Sequence, residues 1–170
     1  SIPAAAQAAP ASVVSEESAY ILCSDMADAE AGTDACVDWI VSSIQAATYT
    51  SRIDSIAKLV SSEKLNAWRA EAEKKLPKNA EPMMAVALEF DILKAQSDPK
   101  AKQATWGKIV QWSNKLAPQQ RRLVMHDIAF HDDFPALIQN KDMKGLIARC
   151  RDEAVEQLPD ISDETLGFLT

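Results

Sequence analysis

Proline closes three successive stretches of this chain at a constant interval, at Pro77, Pro118 and Pro159, 41 residues apart. Proline lacks the backbone donor that a helix interior needs, so each of these positions marks an end or a beginning. Pro82, Pro99, Pro118 and Pro135 stand where a helix would start, at intervals of 17, 19 and 17 residues. A helix and a short turn take about that length, which predicts antiparallel neighbours of similar size. The intervening segments are rich in Ala, Glu and Lys, glycine occurs only four times, and the alternation of a half-buried strand is nearly absent. The fold class expected is all-α.

Residues 1–14 carry two prolines and no amphipathic pattern, which predicts an extended N-terminal arm. A helical-hairpin domain follows over 15–159, and residues 160–170 form a short capping helix that begins at Ser162. Ser15 caps the first helix, with Glu16 and Glu17 against the positive end of its dipole, and Gly32 ends it. Thr33 and Asp34 cap a second helix with Cys36, Trp39, Ile40, Val41 and Ile44 on its apolar face. A third, carrying Ile53, Ile56, Ala57 and Val60, gives way at Ser61 and Ser62 to a fourth that stops at Pro77. Asp98 caps the helix opened by Pro99, and Asp142 caps a long one that reaches Leu158.

Counted back from the three closing prolines, one stripe recurs. It reads Leu65, Trp68, Ala72, Leu76, then Trp106, Ile109, Ser113, Ala117, then Ile147, Cys150, Ala154, Leu158. Steps of three and four put each set on one helical face, and the small third member lets a neighbouring helix approach closely. If the period is structural, the hairpins stack as a short right-handed α-solenoid; the alternative is an irregular helical bundle.

The segment Ala47-Thr48-Tyr49-Thr50-Ser51-Arg52-Ile53, with Ala67-Trp68 and the close Lys74-Lys75-Leu76-Pro77, resembles a pentatricopeptide repeat. Phe90 to Leu116 is a looser copy and Val124 to Leu158 a poorer one, so the resemblance spans about two thirds of the chain. The interval of 41 departs from the family's 35, and the usual turn glycine is missing. The resemblance implies a right-handed superhelix, an organellar setting, and binding of single-stranded RNA by polar residues in a basic groove. In size and character the chain is also similar to small accessory subunits of the mitochondrial ATP synthase that carry such repeats and bind protein.

Charge weighs against RNA. All 18 Lys and Arg lie at or beyond Arg52, while seven acids precede it, so the whole formal charge of −7 sits in the first third. An acidic third above a neutral body repels a phosphate backbone. No run of apolar residues approaches the ~18 of a membrane helix, so no membrane insertion is expected. The first residues lack both a basic n-region and the arginines of a transit peptide. An odd count of three cysteines points to a reducing, intracellular compartment. Cys23 and Cys36 lie where they could meet across a hairpin, yet free cysteine is among the most buried residue types, and small buried hydrophobes are the role expected of all three.

Catalytic patterns are missing. His126-Asp127 and His131-Asp132-Asp133 gather both histidines, but five residues turn a helix by about 140 degrees, so the two imidazoles do not share a face as metal ligands do. A helix end, with Asp132 or Asp133 capping the next helix, explains the cluster better. Gly32, Gly107, Gly145 and Gly167 are too scattered for a phosphate loop. The expectation is therefore a protein with no catalytic, metal or cofactor site, an accessory subunit that binds the protein subunits of a larger complex. The candidate contact residues are Ile2, Pro3, Val13 and Val14 of the arm, with Arg121, Arg122 and Trp112. An organellar RNA-binding repeat protein, using Arg121 and Arg122 on phosphate, is the alternative.

Overall fold

A computed structural model describes residues 17–30, 32–45 and 52–157, and the described residues are helical, without strands. The arm with Ile2, Pro3, Val13 and Val14, the Ser15 cap, and the terminal helix at Ser162 lie outside them. Nine helices occur among the described residues: α1 (17–26), α2 (Gly32–Gln45), α3 (Ile53–Ala57), α4 (Ser62–Lys75), α5 (Pro82–Ala95), α6 (Pro99–Ser113), α7 (Pro118–Ala129), α8 (Phe134–Leu137) and α9 (Lys141–Glu156). The chain divides into two compact units, the first ending at Trp112 and the second beginning at Ser113.

The proline punctuation holds in detail. Pro82, Pro99 and Pro118 are the first residues of α5, α6 and α7, and Pro135 is the second of α8. At N1 the missing donor costs nothing, because the first N–H groups of a helix have no intrahelical partner. Ser61 caps α4 by accepting from the Lys64 N–H at 3.2 Å, and Asp98 accepts from the Ala101 N–H at 2.9 Å. At α9 the cap is Asn140, whose Oδ1 accepts from the N–H groups of Asp142 and Met143. Asp142, expected to be the cap, lies instead inside the first turn, where its charge still meets the dipole.

In the first unit α2 packs on α4 and α5, and α3 packs on α5. Trp39, Ile40 and Ile44 of α2, Leu65, Trp68 and Ala72 of α4, and Leu88 and Ile92 of α5 are all buried. Helix α5 is the central one: Ala85, Val86, Leu88, Glu89, Ile92 and Leu93 cover more than one face and all are buried. Trp106 of α6 meets the Phe90 ring edge-on at 6.0 Å.

The turn between α1 and α2 differs from its sequence reading. Gly32 opens α2 rather than closing α1. Its φ is not positive, so the need for glycine is one of space: a Cβ there would lie 1.8 Å from the Met26 carbonyl oxygen. Cys23 and Cys36 form a disulfide across this turn, in place of the free thiols expected. Tyr20 lies against Trp39 at 5.6 Å, and Lys64 donates to the Ala27 carbonyl, closing the C-terminal end of α1.

In the second unit α7 packs on α9. Val124 and Ile128 of α7 and Met143, Leu146 and Cys150 of α9 are buried. The recurrent stripe is buried at Leu65, Trp68, Ala72, Trp106, Ile109, Ser113 and Cys150, half-buried at Leu76, Ile147 and Ala154, and exposed at Ala117, while Leu158 lies outside the described residues.

Candidate interaction surface

Three groups of side chains invite a functional reading: a buried polar network in the first unit, an arginine anchor in the second, and an uncovered face on α7.

The network joins α4, α5 and α6. Arg69 Nη1 donates to Glu89 Oε2 at 2.8 Å and to Thr105 Oγ1 at 3.2 Å. Thr105 donates in turn to Gln96 Oε1 at 2.7 Å, and Gln96 Nε2 donates to Asn66 Oδ1 at 2.9 Å. At its edge Lys108 Nζ lies 2.6 Å from Glu73 Oε2. The Arg69 and Glu89 side chains are 5% and 2% exposed, which closes them to a substrate. Arg69 Nε and Glu73 Oε1 are buried without a hydrogen-bond partner, so the network is incompletely satisfied. Polar groups in that condition specify which helices meet more than they stabilise the meeting.

Burial pushes the Glu89 carboxyl up to about 7 against the opposing pull of Arg69. The folded protein thus holds a proton that the unfolded chain releases near 4.5. Glu89 contributes stability that is fully present below about pH 4.5 and is lost as pH rises through about 7. Thermal unfolding followed from pH 4.5 to 8 should show this decline, and Glu89→Gln should flatten it.

Arg121, expected to face a partner, is 2% exposed. Its Nε donates to the Ser113 carbonyl at 3.0 Å, and its Nη groups donate to the Leu116 carbonyl and pair with the Glu153 carboxylate. The guanidinium is thus spent on carbonyls left open at the end of α6 and on α9. Arg122 is half-buried and donates to the Gln157 side chain. Trp112, 9% exposed, is part of the core. None of the three presents the open anchor expected of it, because periodicity shows which residues share a face without showing which face is covered.

The histidines are likewise separated. His126 stands on exposed helix, while His131 lies beyond the end of α7, where its Nδ1 accepts from the Asp133 N–H at 3.0 Å. Asp133 precedes α8 without capping it through its side chain. Among the described residues no group of three His, Cys, Asp or Glu could hold a metal ion. Burial pushes the Cys150 thiol up, which keeps it protonated and a poor nucleophile. No described helix is long and apolar enough to cross a membrane.

The α7 face was not singled out from the sequence. Val124 and Ile128 point into the second unit, while Leu123 and Phe130 are 65% and 79% exposed. Seven residues make nearly two full turns, so Leu123 and Phe130 lie about 20 degrees apart around the axis, on the side away from the core. Between them His126 lies with its ring 4.6 Å from that of Phe130, and Asp127 stands beside it in solvent. The signal was available in the spacing of Leu123, His126, Asp127 and Phe130, a second helical period out of phase with Arg121, Val124 and Ile128.

Searches find no match to this chain among family models, curated proteins or solved structures.

Proposed function

We propose that this chain is a non-catalytic accessory subunit that binds the protein subunits of a larger assembly through a helical surface. The observation that supports this best is the exposed pair of Leu123 on α7 and Phe130 at its C-cap, on a helix whose opposite face already serves the core. Large apolar side chains sharing one exposed face mark contact surfaces rather than chemistry. The charged groups support the same reading, since Arg69, Glu89 and Arg121 are buried and paired within the fold. Fewer arginines are then left for phosphate, which favours protein over RNA as the partner.

The N-terminal arm, with Ile2, Pro3, Val13 and Val14, would be laid along the partner as a clamp. The resemblance to pentatricopeptide-like accessory subunits makes the mitochondrial ATP synthase the assembly to examine first. Full-length chain carrying an affinity tag, recovered from its native source through successive orthogonal columns, should keep a fixed molar ratio to the same protein subunits by quantitative mass spectrometry. Drifting ratios, or recovery of the chain alone, would contradict the proposal.

A further inference from the structure

Resting on that reading, we propose that α7 is the docking element and that its outer face is inserted into an apolar groove of another protein whose rim, beside the Phe130 end, is basic. An exposed helix that offers apolar side chains two turns apart has the form of a ligand for a groove, with Leu123 and the C-cap residue Phe130 as anchors about 10 Å apart along the axis. The His126 ring beside Phe130 limits the rotamers of that anchor, so less side-chain freedom is lost on binding.

The basic rim follows from the charges around the face. Asp127 and Asp132 are exposed at the end where α7 also carries the negative pole of its dipole. Of the arginines on the same helix, Arg121 is buried against Glu153, and Arg122 stands two turns from Phe130, toward the other end of α7, where it donates to the exposed Gln157 side chain. The face is therefore apolar in its middle and acidic at one end, which Lys or Arg beside an apolar floor complements. An anionic lipid surface would be repelled by the same carboxylates. A second copy of this chain would bring another acidic end rather than a basic one.

The test uses the full chain in its native assembly. Carbodiimide forms an amide between a carboxylate and a lysine amine in contact, releasing the activated oxygen with the urea by-product, and adds no spacer. Peptide mass spectrometry should then find Asp127 or Asp132 joined to a lysine of another protein. Phe130→Asp should lose those cross-links and reduce co-purification at least tenfold. Its unfolding should stay cooperative with only a small drop in temperature, from a carboxylate at the negative pole of the helix, because the Phe130 side chain is mostly in solvent. Val155→Asp, an exposed apolar position on α9, should keep both the cross-links and the partner. Unreduced co-purification of Phe130→Asp would overturn the docking face while leaving the accessory role standing. Cross-links joining α7 to a second copy, or binding of the purified chain to phosphatidylserine vesicles lost in Phe130→Asp, would overturn the protein groove. If the parent chain is recovered with no other protein, the accessory role falls as well.

Discussion

Arg69→Met is expected to lower stability by about 3–5 kcal/mol at pH 8, the scale for breaking a buried ion pair from one side. The substitution leaves the Glu89 carboxylate among apolar side chains and removes the donor to Thr105. Because Glu89 already titrates near 7, acid offers it a way out: protonation neutralises the stranded charge. The loss should therefore shrink as pH falls toward 5, which chemical denaturation at the two pH values will show. The double variant Arg69→Met with Glu89→Leu removes both charges and should recover most of the stability at pH 8. A single-variant loss that does not change with pH would place the damage in packing rather than in charge.

The second large effect belongs to the hairpin of α1 and α2. Cys36→Ala should cost about 3 kcal/mol, since the Cys23–Cys36 bond closes a loop of 13 residues in the unfolded chain. The Tyr20 contact with Trp39 and the Lys64 hydrogen bond to the Ala27 carbonyl remain in the variant, so the loss reads the crosslink itself. Unfolding of the parent in the presence of reductant should approach that of Cys36→Ala, while the variant itself is indifferent to reductant. Equal stability of parent and variant without reductant would show that the two cysteines contribute only as buried apolar groups.

The architecture was legible where one residue type carries a strong local preference. Pro82, Pro99 and Pro118 open their helices because proline loses nothing at N1, and Ser61 and Asp98 cap because their side chains reach N–H groups with no other partner. The stripes before Pro77 and Pro118 were legible for a similar reason, since spacing alone puts Leu65, Trp68 and Ala72 on one face.

Legibility ended where a choice depended on distant chain. Gly32 looked like a helix stop, a role glycine often fills, but its function is to let the Met26 carbonyl come close. The cysteine count suggested free thiols, whereas pairing is decided by which residues the α1 to α2 turn brings together. The chemistry of Arg121 and Trp112 suits a contact surface, but chemistry says nothing of burial, and both are buried. Leu123 and Phe130 are hard to read from sequence because a helix can carry two apolar faces, and the pattern of one hides the other.

Velocity sedimentation of this chain in native extract, with and without nuclease, tests the central claim most directly. Binding to a larger protein assembly predicts a sedimentation coefficient far above that of an 18.6 kDa chain, unchanged by nuclease. Sedimentation at the rate of the free chain, or a fast form that nuclease collapses, would contradict it.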